Sequence, residues 1–215
     1  MEMILVFNIN TIIDVRSIPF SQHTPQFNME NLKFFLTNHG ILYAHFGSEF
    51  GARRDDCLSE NTLKDGSKVM QVNFELGIKT INFKNGINRI DNALSQNRTI
   101  ALMCTESNPL DCHRFSFISR YLYDNGYEVS HIMKNKKSKE IYAKKHEELE
   151  EIMIKEFLSK KKPELKKTDK QLEYEGIIPG LIESISEEQQ RKDAYRLKNR
   201  DIGFVPSLSY DESIY

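Results

Sequence analysis

Ile100-Ala-Leu-Met-Cys-Thr-Glu-Ser-Asn-Pro-Leu-Asp-Cys-His-Arg114 is the stretch around which the chain is organised. Its opening is apolar and predicts a buried strand over 99–104. Residues 105–110 are polar, with Pro109 near their end, and predict a loop. Asp111 is a helix-capping type, so a helix is expected over 111–124, with Cys112, His113 and Arg114 in its first turn and Phe115, Ile118 and Leu122 turned inward. A thiol would then end a strand, and a thiol, an imidazole and a guanidinium would open the next helix. In an open α/β sheet this rim binds ligands, because helix N–H groups and the helix dipole point at it.

Outward from that stretch, the segments 11–16, 41–46 and 127–132 also read as strands. The first is short, β-branched and nearly continuous in apolar character, as suits burial on both faces. Helices are expected over 28–38, with Leu32, Phe35 and Leu36 on one face, and over 67–78 and 86–96. Loops are expected over 17–27 and 47–67. The alternation of strand and helix predicts an α/β fold, a mostly parallel sheet flanked by helices in a Rossmann-like three-layer arrangement. Met3 to Phe7 reads as an edge strand, or as the remnant of one interrupted at Asn8 to Asn10. After residue 133 the character changes. A basic linker over 134–139 precedes helices over 140–160 and 182–198, with a basic, flexible stretch over 160–170 between them. The expected division is an α/β domain over 1–133 and a charged linker with a helical C-terminal extension over 134–215. Tyr142, His146, Leu149, Met153 and Phe157 form a helical stripe that either covers the domain or pairs with a second chain as a homo-oligomer.

Composition narrows the class. A net charge of −1 gives no global basic signature for nucleic acid, though it leaves a local patch open. No stretch approaches the roughly 20 apolar residues of a membrane span. Met1 to Phe7 carries Glu2 and lacks the marks of a signal peptide. Three cysteines, Cys57, Cys104 and Cys112, are too few for a disulfide framework, so a reducing cytoplasm is expected.

The chemistry-bearing types gather at three expected strand ends. Cys112 and Cys104 are candidate nucleophiles, and His113 and Glu106 are candidate acid/base groups. Asp14, Arg16 and Ser17 follow the first strand. Tyr43 lies on the second, and Gly51 and Arg53 follow it. With Arg114 these suit an anionic ligand. The bland alternatives are that both cysteines are small buried hydrophobes, that Asp14 and Arg16 merely pair to close a strand end, and that 47–67 is a solvated loop. A phosphatase loop would need Arg six positions after the thiol, where the chain has Leu110 or Ile118. A thioredoxin pair would need two residues between thiols, where the chain has seven. Cys104, Cys112 and His113 are zinc-ligand types, but adjacent Cys112 and His113 do not readily aim at one metal from a helix. No metal or cofactor is therefore expected.

Several of these stretches resemble one family. Ile-Ile-Asp-Val-Arg-Ser-Ile-Pro at 12–19, Leu-Tyr-Ala-His-Phe from 42, Gly-Ala-Arg-Arg from 51 and Leu-Met-Cys-Thr-Glu with Cys-His-Arg within 102–114 are similar to the DUF488 family, a domain of unknown function. The resemblance runs over about 10–132 and implies a compact cytosolic α/β domain. It carries the family's motif onto Asp14, Arg16, Pro19, Tyr43, Gly51, Arg53, Cys104, Glu106, Pro109, Cys112, His113 and Arg114. Two departures are a shortened first segment and Ala52 where a second Gly is usual. A weaker likeness is to rhodanese-type domains, which share an Asp-Val-Arg strand end and a Cys at a strand end. The expected function is a thiol-dependent enzyme with a Cys/His/Arg pocket for an anionic, phosphate- or nucleotide-like substrate. The alternatives are a non-catalytic nucleotide or nucleic-acid binding module, or a scaffold that assembles through its tail helices.

Overall fold

Strand β1, Thr11–Asp14, is buried at all four positions and forms the middle of a three-stranded parallel sheet. Its neighbours are β2, Leu42–His45, and β5, Ile100–Met103, while β3, Leu58–Thr62, and β4, Lys68–Val72, form a separate antiparallel hairpin. The computed structural model describes residues 1–62, 66–165 (side chains to 159) and 186–206. All three strands of this sheet lie where the sequence predicts them.

Period-two alternation sends successive side chains of β1 to opposite faces. Ile12 faces helix α2, Met29–Thr37, and packs with Leu32, Leu36, Tyr43, Ala101 and Met103. Phe35, expected on the same inner face of α2, is exposed. Ile13 and Val15 face the larger core, with Phe83, Ile87 and Ile90 of α5, Ile81–Ser95, and with Phe117, Ile118 and Leu122. Helix α5 begins five residues earlier than its apolar spacing predicts, because Thr80 caps it by accepting from the Phe83 N–H at 3.3 Å. Gly86 lets α5 approach closely: a Cβ there would stand 2.7 Å from the Phe50 ring.

Other segments differ from expectation. Met3 to Phe7 is not an edge strand, because Glu2–Val6 forms a short helix, α1. The expected loop 47–67 holds helix α3, Gly47–Phe50, and strand β3, Leu58–Thr62. The expected helix 67–78 begins instead as strand β4, Lys68–Val72, antiparallel to β3. Asn73 then caps the one-turn helix α4, Phe74–Gly77, by accepting from the Glu75 and Leu76 N–H groups. Lys-Val-Met-Gln-Val is β-branched at two of five positions, and that local preference prevails over the helical spacing of Val69, Val72 and Leu76.

The fourth expected strand does form, as β6, Ser130–Lys134, but outside the parallel sheet. It pairs antiparallel with β7, Ile141–Lys145, which the sequence assigns to the start of a helix. A cleft of about 410 Å³, lined by Thr99, Ala101 and Leu102 on one side and Val129, His131 and Ile132 on the other, separates it from β5. The expected linker 134–139 is the turn of this hairpin.

Helix α7, His146–Leu165, and helix α8, Glu187–Ile202, follow this hairpin. Leu149, Met153 and Phe157 are buried against Ala194, Tyr195, Leu110 and Phe115, so the stripe covers its own chain. The stretch over 160–170 and the first residues of the expected helix 182–198 fall largely outside the described residues. Beyond α8 the chain returns to the hairpin: the Val72 N–H donates to the Phe204 carbonyl at 2.9 Å, and Gln71 Nε2 donates to the Arg200 and Gly203 carbonyls.

A buried polar chain ties β6 to α7 and α8. Tyr195 OH donates to Glu150 Oε1 at 2.6 Å, so its oxygen is free to accept from His146 Nε2 at 2.9 Å. His146 Nδ1 is then an acceptor, and His131 Nε2, 3.1 Å away, must donate to it. Each ring thereby carries one proton. Burial pushes His131 down to about 3 and His146 down to about 4, which agrees with two neutral imidazoles.

Candidate functional site

Asp14 is in register with both His45 and Met103, so the residues after the three parallel strands emerge at one rim, as expected. They do not form one site. Asp14 shares a face with Ile12, toward α2, whereas Cys104 packs with Val15 against the opposite core. Among the described residues no hydrogen bond or ion pair joins the two groups.

The first group is closed on itself. Arg16 Nε and Nη2 donate to the two oxygens of the fully buried Asp14 at 2.9 and 2.5 Å, and Tyr43 OH donates to Oδ2 at 2.7 Å. Arg16 Nη2 also donates to the Phe27 carbonyl at 2.8 Å. Burial alone would raise the Asp14 carboxyl, but the hydrogen bonds from Arg16 and Tyr43 outweigh it and hold the group below its ordinary 3.8. The same carboxylate pushes Arg16 up, and burial followed by that carboxylate pushes Tyr43 up. Nearby, Ser17 Oγ accepts from the Arg53 N–H at 2.9 Å. Gly51 has no room for a side chain, since a Cβ would sit 2.3 Å from the Gly47 carbonyl oxygen and 2.4 Å from Ser17 Oγ. The Arg53 guanidinium stacks over Phe204, 5.4 Å from the ring centre. The strand-closing Asp–Arg pair is therefore what Asp14 and Arg16 make.

The second group converges. Cys104 Sγ lies 2.9 Å from Glu106 Oε2, and Cys112 Sγ lies 3.3 Å from the same oxygen. His113 Nδ1 is 3.8 Å from Cys104 Sγ and 3.9 Å from Cys112 Sγ. The ligand atoms of these four side chains all lie within 4.8 Å of one another. Cys112 and His113 are buried, Cys104 is half-buried and Glu106 is exposed, so the cluster has an open side at the carboxylate. Among the described residues, His113 Nε2 is buried without a hydrogen-bond partner.

Local backbone makes this convergence possible and differs from expectation. Asp111 caps nothing; Asn108 caps a 3₁₀ turn over Pro109–Asp111 by accepting from the Leu110 N–H. Cys112 follows in extended backbone, φ −123° and ψ 140°, and a π-helix then runs over Arg114–Ser119 before α6, Arg120–Asp124. Such wide turns often mark functional sites. Cys112 therefore precedes the helix, and Arg114 supplies its electrostatic support. The Arg114 backbone N–H and Nε point at Cys112 Sγ from 3.4 and 3.2 Å. The other guanidinium nitrogens donate to the Leu102 and Glu106 carbonyls. The bond from Cys104 holds Cys112 below the ordinary thiol value; burial opposes this and the Arg114 charge assists it. That bond, then burial, pushes Cys104 well above it. The two sulfurs titrate as a pair, with the Cys112 value the lower of the two. Burial would raise Glu106, but bonds from Cys104, its own backbone and Cys112 hold it below 4.5. Cys57 lies apart in the core, pushed by burial up to about 11.

Fold and cluster together define an α/β protein with a parallel sheet and a Cys/His group at the carboxyl end of its strands. The model of the family described as "Domain of unknown function DUF488" matches residues 3–122, and the chain belongs to that family. No curated protein and no solved structure matches the chain. Among the described residues no helix is long and apolar enough to cross a membrane.

Sequence reasoning missed the His131–His146–Tyr195–Glu150 chain. His146 was legible only as part of an apolar stripe, and nothing local ties His131 to it across 15 residues. It also missed that Arg54 is a buried structural residue, bound to Asp56, Thr80 and the Glu49 carbonyl.

Proposed function

We propose that the chain is a thiol-dependent enzyme of a reducing cytoplasm, built on a Rossmann-like three-layer domain. Cys112 is the nucleophile, with His113 and Glu106 moving protons and Cys104 as the neighbouring donor. The observation that carries this reading is the Cys112 sulfur, which meets two N–H groups of Arg114 and the Cys104 thiol while an imidazole lies 3.9 Å away. An activated cysteine needs positive or donating groups of this kind, which here act against the Glu106 carboxylate 3.3 Å from the same sulfur. The three cysteines are free, as a reducing compartment allows. An anionic, phosphate- or nucleotide-like substrate fits less directly. Arg16 and Arg114 direct their hydrogen bonds inward, which leaves exposed Arg53 as the guanidinium able to meet one. A second reading, a non-catalytic module for nucleotide or nucleic-acid phosphate, draws on exposed Lys136, Lys137 and Lys139 in the β6–β7 turn.

The test is a pH titration of thiolate ultraviolet absorbance on chelator-treated, reduced protein. One thiolate should form below the ordinary value of 9.0 and disappear in Cys112→Ser, with Cys57→Ser unchanged. If no thiol ionises below that value, or if the low transition survives in Cys112→Ser, Cys112 is not the nucleophile. Steep weakening of oligonucleotide binding with salt, preserved in the Cys104→Ser/Cys112→Ser double variant, would favour the binding module instead.

A further inference from the structure

We propose that Cys104, Glu106, Cys112 and His113 form a four-ligand site for a divalent cation of the zinc class. The proposal rests on the same thiolate cluster as the reading above and adds a ligand to it.

Distance is the first argument. A tetrahedral ion with bonds of about 2.0–2.3 Å to nitrogen, oxygen and sulfur sets its ligand atoms about 3.3–3.8 Å apart. Glu106 Oε2 lies 2.9 and 3.3 Å from the two sulfurs, and His113 Nδ1 lies 3.8 and 3.9 Å from them. These four separations bracket that edge and the other two pairs lie within 4.8 Å, so side-chain adjustments of about an ångström let one ion meet all four atoms.

Donor chemistry is the second. Two sulfurs and an imidazole suit zinc and its borderline neighbours, while calcium and magnesium require shells of oxygen. The set also balances electrically. Two thiolates and a carboxylate exceed a dication by one negative charge, and the Arg114 guanidinium beside Cys112 Sγ supplies one positive. Its two N–H groups directed at that sulfur are the kind of outer-shell bonds that orient a metal thiolate.

Backbone is the third. On an α-helix, adjacent side chains diverge by about 100°, which would keep Cys112 and His113 from one ion. Here Cys112 is extended and His113 is in the helical region at φ −58° and ψ −23°. The change of conformation between them brings neighbouring side chains to a common point. The sequence-based objection to a metal assumed a helix that starts too early.

Occupancy and nucleophilic use of Cys112 exclude each other, because a bound cation takes the sulfur lone pair that would attack a substrate. A bound ion therefore holds the thiol silent, and its removal frees it.

The experiment titrates cobalt(II) into chelator-treated, reduced full-length protein. The readouts are the visible bands of a tetrahedral ion and the near-ultraviolet thiolate-to-metal charge transfer. One equivalent should bind, zinc should displace it, and Cys104→Ser, Cys112→Ser and Glu106→Gln should each alter the spectrum. The two cysteine variants should weaken binding by about 100-fold or more. Cys57→Ser should leave spectrum and affinity unchanged. Glu106 is exposed, so its variant tests the site even if a buried variant fails to fold. Absence of the charge-transfer band, or an unchanged band in Cys104→Ser and Cys112→Ser, overturns the proposal. The thiolate titration of metal-free protein separates the two ideas. A low transition without metal binding leaves the enzyme reading standing alone, and metal binding without a low transition leaves the cation site standing alone.

Discussion

The Asp14–Arg16–Tyr43 group and the Cys104–Glu106–Cys112–His113 group end neighbouring strands on opposite faces of one sheet. Each contains a carboxylate, and the two carboxylates do opposite work. Asp14 is fully buried and accepts from three side-chain donor atoms, leaving it nothing to offer a ligand. The Glu106 carboxylate is exposed, and the side chains it meets among the described residues are thiols, groups that react or ligate. The first group locks the rim, and the second uses it. A shared strand end brings residues to one edge, but side-chain parity decides which of them meet.

The sharpest way to break this contrast is to remove Asp14. Asp14→Ala leaves Arg16 buried and unpaired, and breaking such a pair costs about 3–5 kcal/mol. Urea denaturation should show a loss of that order. A fall below ~1 kcal/mol would show that the group does not lock the rim. The same pair has a pH signature. The folded Asp14 value is depressed, so its stabilisation is fully present above its ordinary 3.8 and is lost as pH falls through the lower folded value. Asp14→Asn should flatten that acid limb.

A smaller loss is expected at Gly51, where the Gly47 carbonyl and Ser17 Oγ leave no space. Gly51→Ala should cost about 1–3 kcal/mol in the same assay and leave the thiolate titration of Cys112 in place. A shift in that titration would mean that the two faces are coupled.

The buried histidines give a separate slope at higher pH. Their folded values, about 3 and about 4, lie below the ordinary 6.5. The unfolded chain therefore binds more protons below 6.5, and stability falls as pH drops from there toward 4. His146→Gln should make this slope shallower without changing the Asp14 limb. A wild-type profile flat between 6.5 and 4 would contradict the neutral pair.

Legibility in the sequence followed the range of the interactions. Ile12-Ile13-Asp14 and Ile100-Ala-Leu-Met103 announce buried strands by local composition, and the intervening helices make them parallel. Leu58-Ser-Glu-Asn-Thr62 carries no such pattern, because its order comes from its partner Lys68–Val72, itself held by the returning C-terminal segment. Ile141–Lys145 reads as helix because Tyr142 and His146 are four apart, while its pairing with Ser130–Lys134 is set by a turn of lysines and asparagine that resembles a linker. At the site the residue types were legible and their grouping was not. Asp14 and Cys104 could be placed at one rim, but the face each takes depends on register. The meeting of Cys112 and His113 depends on one extended residue before a π-helix.

The return of the chain to β4 has a consequence for self-association. A β3–β4 hairpin has only two strands, so the free side of β4 would offer unpaired backbone groups to another molecule's strand. Phe204 takes the Val72 N–H, Asn199 Nδ2 donates to the Val72 carbonyl, and the Gln71 side chain is bound to the same returning segment. The tail thus occupies part of an adhesive edge with residues of its own chain. In a chain cut before α8, that edge would be open to a neighbour, and the first symptom would be insolubility rather than lost chemistry.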